Sequence, residues 1–140
     1  MKKMMLIIAV IAMGLFSYSC GGGKDDAGSA PVDKGIGPVK SVFIGALDDV
    51  KAAEGKKIFD AKCTACHKID VKYVGPALKG VTKRRAPEWI MNMVMNPEQM
   101  IKENETAKAL FAQFMTPMAN QNITQDEARS ILEYFLSLDK

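Results

Sequence analysis

CTACHK, residues 63–68, contains the only histidine of this 140-residue chain and two of its three cysteines. Cys63 and Cys66 are three residues apart, and His67 follows four residues after Cys63. In a helical turn, residues three and four apart lie on the same side of the backbone. The stretch therefore brings two thiols and one imidazole together, and it predicts a site that uses all three.

The pattern CxxCH is the attachment signal for c-type haem. Cys63 and Cys66 can form thioethers with the two vinyl groups of one porphyrin, and His67 can place a ring nitrogen on the iron. A structural zinc site would need about four protein ligands, and a thioredoxin-like CxxC would need an α/β unit. An accidental motif closed by a plain disulfide is the third alternative.

The second axial ligand must come from another residue type, because no second histidine exists. Six methionines follow the motif: Met91, Met93, Met95, Met100, Met115 and Met118. The first three fall in a predicted helix, where methionine fills irregular gaps in a core, and Met100 is expected to do the same. Met115 and Met118 lie in a loop, where backbone freedom could bring a sulfur to the iron. The residues alone leave both open.

The first residues have the pattern of an export signal: Lys2 and Lys3, then an apolar run over residues 5–16. That run is short for a bilayer span, which needs roughly 20 residues. We expect residues 1–19 to be removed and Cys20, which ends the lipobox-like stretch LFSYSC, to accept a lipid. An ordinary signal peptide or an uncleaved anchor is the alternative. In either case the domain works outside the cytoplasm, on the periplasmic or cell-envelope face of a bacterial membrane.

Residues 20–47 are rich in Gly, Pro, Ser, Lys and Asp, and they predict a lipid-anchored flexible tether. Within them SVFIGAL, residues 41–47, is apolar and could pack onto the domain. Without residues 1–19 the chain has 17 basic and 16 acidic side chains, so nucleic acid is not expected as a partner. One local basic cluster is either a solvated loop or a docking patch for an acidic protein: Lys79, Lys83, Arg84 and Arg85.

Residues 48–140 predict an all-α domain. Asp48 or Asp49 can cap a first helix, and Pro87 suits the first turn of a second one. Another helix is predicted over residues 106–114, and Thr124 with Glu127 forms a capping box for the last. No stretch alternates clearly enough to require a strand.

The order of motifs over residues 48–140 resembles a small monohaem class I cytochrome c. The matching stretches are GKKIFDAKCTACHK, VGPALKG, TPMANQNIT and the amphipathic ILEYF. The resemblance implies a cytochrome c-like fold, in which the N- and C-terminal helices cross over one covalently bound haem c. It also implies contacts of Gly55 and Phe59 with the last helix, through Tyr134 or Phe135.

The same resemblance assigns further site residues. MANQNIT lies over the family's loop MPNxxLT and selects Met118 as the iron ligand, whereas Met115 is three residues early. Pro76 matches the residue whose carbonyl binds the other ring nitrogen of the ligand histidine. Trp89 resembles aromatic residues that line the haem and sometimes bind a propionate, or it is ordinary core.

A haem ligated by His67 and Met118 has both axial positions filled, which favours electron transfer over substrate chemistry. We therefore expect a one-electron carrier and not an enzyme, working between respiratory redox proteins in the membrane or periplasm. One alternative is a haem subunit permanently docked to a terminal reductase or oxidase. A gas sensor or a peroxidase with an open sixth position is a further alternative, although the only histidine is already used.

Overall fold

The computed structural model describes residues 32–140, which form helices and contain no strand in that range. The helices are α1 Asp49–Lys62, α2 Val81–Arg84, α3 Pro87–Met95, α4 Pro97–Glu103, α5 Glu105–Phe114 and α6 Gln125–Leu138. The predicted all-α class is confirmed. Among these described residues, no helix is both long and apolar enough to cross a membrane. The predicted signal peptide and Cys20 lie outside them.

Local capping signals decide where the helices begin. The Asp48 side chain accepts a hydrogen bond from the N–H of Lys51 at 3.0 Å, and Pro87 occupies the first turn of α3. Thr124 and Glu127 form the reciprocal capping box of α6. The two side-chain caps each satisfy a backbone donor that the first turn of a helix leaves without a partner, whereas Pro87 has no N–H to satisfy. These three starts are as predicted.

The first and last helices pack closely against each other. A β-carbon at Gly55 would overlap the backbone carbonyl of Ser130 on α6. The Phe59 ring lies 5.5 Å from Tyr134 and 5.9 Å from Phe135, between ring centroids. A glycine allows this approach because it has no side chain, and the aromatic rings fill the space beside it. The α1–α6 contact predicted from the resemblance is present.

Residues 33–47, called the strap below, lie along α3 and α6. Val39 is buried, and both of its backbone polar groups bind the side chain of Asn92, at 3.0 and 2.9 Å. The N–H of Val42 donates to Glu88 at 3.1 Å. Of the apolar stretch 41–47, Val42 packs against the core, whereas Phe43 is 86% exposed.

The prediction of a flexible tether over residues 20–47 is therefore wrong for the strap. Its backbone is held by polar side chains of α3 and α6 that lie 46 to 86 positions away in sequence. Composition gives no sign of such partners, because the bonds are made to the backbone of the strap, and any residue type provides those backbone groups. Residues 20–31 of the predicted tether lie outside the described residues.

Part of the basic cluster, for which a solvated loop and a docking patch were the two alternatives, forms a short helix. α2 begins after Gly80, whose φ of 72° is left-handed. Asp139 accepts hydrogen bonds from the N–H of Gly80 at 2.6 Å and from the hydroxyl of Thr82 at 2.6 Å. No local sequence pattern predicts this helix, because the residue that caps it, Asp139, lies near the C-terminus.

Candidate functional site

An apolar cleft of about 1020 Å³, including its open mouth, lies between the loop after α1 and helices α3, α5 and α6. Its lining contains five of the residues singled out from the sequence: Cys63, His67, Pro76, Trp89 and Met118. These residues come from four separate places in the chain, because Cys63 and His67 share one turn. The fold therefore assembles the predicted site around one cleft.

The CTACH stretch forms a helical turn at the end of α1. The carbonyl of Cys63 accepts hydrogen bonds from the N–H of Cys66 at 3.1 Å and of His67 at 2.9 Å. Both cysteines are free thiols, so the disulfide alternative is not present. Cys63 is half-buried and burial raises the pKa of its thiol, whereas Cys66 is exposed and is not part of the lining.

The His67 ring is held in one orientation. Its Nδ1 lies 3.2 Å from the carbonyl oxygen of Pro76, the contact that the resemblance implies. That oxygen can only accept, so Nδ1 carries the proton and Nε2 is the nitrogen available to a metal. Burial lowers the pKa of His67, and the bond to Pro76 opposes this only in part. The ring is thus kept neutral, which is the form that binds metals.

Gly75 makes room for this ring. Its N–H donates to the carbonyl of Cys66 at 2.9 Å, which folds the loop back over the turn. A β-carbon at this position would lie 2.5 Å from the Cε1 atom of His67. No side chain larger than hydrogen fits between the loop and the imidazole, so the glycine allows the histidine to sit against the backbone.

The two loop methionines differ in position. Met118 is half-buried and lines the cleft. Met115 ends α5 with a left-handed φ of 53°, is 76% exposed, and is not part of the lining. Met93 on α3 also lines the cleft, where it packs against the core as predicted. Of the two loop candidates, only Met118 shares the cleft with His67.

Trp89 lines the cleft, but its N–H is not available there. The ring is buried, and Nε1 donates to the side-chain oxygen of Asn104 at 3.1 Å. An indole has a single donor, so a hydrogen bond from Trp89 to a propionate is not compatible with this arrangement. Trp89 therefore lines the cleft, and its N–H is bonded to Asn104 in this structure.

The sequence and the fold are similar to those of known proteins. Residues 52–139 match the sequence model of the family described as Cytochrome c. The chain belongs to the cytochrome c family. It is 32% identical over 99 residues to cytochrome c-551 of Stutzerimonas stutzeri, covering 66% of this chain and 85% of that protein. It is also 33% identical over 87 residues to cytochrome c-551 of Ectopseudomonas mendocina, covering 61% of this chain and 99% of that one.

A solved structure agrees with the sequence relatives. Cytochrome c from Rhodothermus marinus superposes with a TM-score of 0.71 at 42% identity, covering 73% of this chain and 89% of that one. The cytochrome c-like fold implied by the resemblance is confirmed. Family and relatives together imply one covalently bound haem c with its iron.

The residues of this cytochrome fit a haem. The cleft is apolar, as a porphyrin requires, and the motif that supplies thiols and imidazole forms one of its walls. Among residues 32–140, no group of three or more Cys, His, Asp or Glu side chains is placed to hold a metal ion alone. The zinc alternative therefore has no support in the described part of the chain.

Arg84 and Arg85 also line the cleft, which the sequence did not indicate. Arg84 donates to the carbonyls of Lys79 at 2.6 Å and Ala77 at 3.2 Å, and the guanidinium of Arg85 lies 5.2 Å from the centroid of the Trp89 ring. They place positive charge on a mostly apolar wall, in a position to bind the propionate carboxylates of a haem. In the sequence these arginines are part of an ordinary basic cluster, and nothing local marks them as lining residues.

Proposed function

We propose that this cytochrome is a one-electron carrier whose haem is attached through Cys63 and Cys66 and ligated by His67 and Met118. Haem iron ligated by imidazole nitrogen and thioether sulfur cycles between its ferric and ferrous forms with no position left for a substrate. The observation that carries the proposal is the common cleft of His67 and Met118. Both residues line it, although they are about 50 positions apart in sequence.

The surroundings of the cleft favour a high reduction potential. Thioether ligation favours the ferrous form, and an apolar wall disfavours the extra positive charge of the ferric form. Pro76 fixes the imidazole ring, which maintains its geometry in both oxidation states. A site of this kind changes little on electron transfer, and that property suits a carrier.

Three methionine variants test the ligand assignment. A sulfur ligand on ferric haem gives a weak absorbance band at the red end of the visible spectrum. We expect Met118→Ala to lose this band and to allow carbon monoxide to bind the reduced protein. Met115→Ala should retain it, since that residue is exposed, and so should Met93→Leu, which replaces the other methionine of the cleft. Loss of the band in either control, with retention in Met118→Ala, would show that the methionine replaced in that control is the iron ligand.

We further propose that the protein is exported and held at a membrane by a lipid on Cys20. The support is the sequence of the first 20 residues alone. Cys20→Ser should release the protein from membranes of the producing bacterium into the soluble fraction. Retention of Cys20→Ser in the membrane fraction would instead indicate an uncleaved anchor.

The proposed partners are redox proteins of the membrane or periplasm that present acidic surfaces. Lys72 lies 4.6 Å from the ring centroid of Phe114, a lining residue of the cleft, and Lys68 lies 5.2 Å from that of Tyr73. Tyr73 is 56% exposed. These contacts place positive charge beside aromatic rings near the cleft, a combination typical of interfaces that steer an oppositely charged partner.

Charge reversal tests this surface. We expect Lys72→Glu to slow oxidation of the reduced protein by native membranes at low salt by roughly tenfold, with the difference shrinking as salt rises. Lys40→Glu on the strap makes the same change of charge away from the cleft lining and is the matched control. Equal slowing by both variants would show that net charge, and not this surface, controls the reaction.

A further inference from the structure

The indole of Trp89 ends a chain of hydrogen bonds that begins on the strap. Trp89 is the only tryptophan of the protein and a wall of the haem cleft. Its Nε1 donates to the Oδ1 of Asn104, which also accepts from the N–H of Ala107 at 3.0 Å as the cap of α5. Asn104 is 8% exposed, so water cannot readily replace either bond.

The other end of the Asn104 side chain is fixed by Asp33. Asn104 Nδ2 donates to Asp33 Oδ1 at 2.8 Å. The same oxygen accepts from the N–H of Gly35 at 2.9 Å, and Oδ2 accepts from the hydroxyl of Thr106 at 2.8 Å. The Asp33 carboxylate thus accepts three hydrogen bonds, although it lies in an exposed part of the strap.

These partners allow one orientation of the Asn104 amide. An ionised carboxylate can only accept, so it binds the NH2 side of the amide and directs the oxygen toward Trp89. Burial raises the pKa of Asp33, but the hydrogen bonds from Gly35, Thr106 and Asn104, with the charge of Arg85, outweigh it and bring the pKa below its ordinary value. A negatively charged acceptor also polarises the amide, which strengthens the bond made at its other end.

We infer that Asp33 is a positioning residue of the haem cleft, which acts through Asn104 to keep the N–H of Trp89 turned away from the cofactor. With its donor occupied, Trp89 presents only an apolar surface to the cleft. If the side chain of Asn104 is no longer held in place, the indole N–H needs another hydrogen-bond acceptor. Water that enters the cleft can provide it. Water beside the haem stabilises the ferric form and lowers the reduction potential.

Three variants of the haem-loaded protein separate positioning from other effects. Asp33→Ser keeps an oxygen for the turn at Gly35 but is too short to bind Asn104 as well. Asp33→Asn removes the same charge and retains an acceptor of the original length, so it is the conservative rescue. Thr106→Val removes another hydrogen bond of Asp33 without touching Asn104, and it controls for general loosening of the strap.

The first readout is hydrogen exchange of the indole N–H, a single resonance in the spectrum of the reduced protein. We expect exchange about tenfold faster in Asp33→Ser, as for loss of a bond supported by a charged group, and within about threefold of wild type in the other two variants. The second readout is the reduction potential, which should be lower in Asp33→Ser than in Asp33→Asn. Because both lack the charge, this difference isolates positioning.

Two results would overturn the inference. Unchanged indole exchange in Asp33→Ser, or equal acceleration in Thr106→Val, would show that Asp33 only fastens the strap. Equal reduction potentials of Asp33→Ser and Asp33→Asn would show that the contact between Asp33 and Asn104 does not affect the haem. Neither readout depends on Met118 being the iron ligand, so the outcome is separate from that of the methionine variants.

Discussion

Replacing Asn92 by leucine should release the strap from α3 without changing the haem cleft. The side chain is 1% exposed and makes three hydrogen bonds to the strap backbone, two to Val39 and one, at 3.0 Å, to the carbonyl of Lys34. Leucine has a similar volume but no polar atom, so the buried backbone groups of Val39 lose their partners. At about 1 kcal/mol for each bond, with a further cost for unsatisfied buried groups, we expect a loss of roughly 2–4 kcal/mol of unfolding free energy.

Urea unfolding of the haem-loaded protein measures this loss. With a slope of about 2 kcal/mol per molar urea, the midpoint should fall by roughly 1–2 M. Lys108→Ala is the control, because it removes an ion pair between two solvent-exposed side chains, Lys108 and Glu105 on α5, and leaves the strap unchanged. Its cost should stay below about 1 kcal/mol. A loss in Asn92→Leu no larger than that of the control would refute the account of the strap, and so would an altered haem spectrum.

Three other predictions follow from particular contacts. Gly55→Ala should cost about 1–3 kcal/mol in urea unfolding, because its methyl group overlaps the carbonyl of Ser130; an unchanged midpoint would contradict the close α1–α6 contact. Asp139→Ala should cost about 1–2 kcal/mol by removing the cap of α2, whereas Lys140→Ala next to it should have no measurable effect. Burial raises the pKa of Asp139, but hydrogen bonds from Thr82 and Gly80 outweigh it and hold the pKa below its ordinary value of 3.8, so this stabilisation is present above that pH and is lost as the pH falls through the folded-state pKa. The difference in urea midpoint between the wild-type protein and Asp139→Ala should therefore shrink as the pH is lowered from about 6 to about 3; a constant difference would contradict the role of the ionised carboxylate.

The elements that sequence could predict are those whose causes lie close together along the chain. Thr124 and Glu127 cap α6 from within four residues, and Pro87 marks the start of α3 by its own geometry. The haem motif is equally local, since Cys63 and His67 are joined by one backbone turn. For these features the residue types and their spacing contain the whole physical explanation.

The features that sequence missed depend on partners far away in the chain. The strap is held by Asn92 and Glu88, and α2 is capped by Asp139, 57 to 59 residues away. Trp89 illustrates the same limit, because the family resemblance implies its place in the cleft but the direction of its N–H is set by Asn104. A pairing between one buried polar side chain and a distant backbone group leaves no periodic pattern to recognise.

The most direct test of the central claim is exposure of the reduced wild-type protein to carbon monoxide, followed by absorbance. If His67 and Met118 both ligate the iron, no position is free, and the spectrum of the reduced protein should not change. The same sample should still be oxidised and reduced reversibly by one electron in a redox titration. Binding of carbon monoxide by the wild-type protein would contradict the closed site and would favour a gas-binding or catalytic haem.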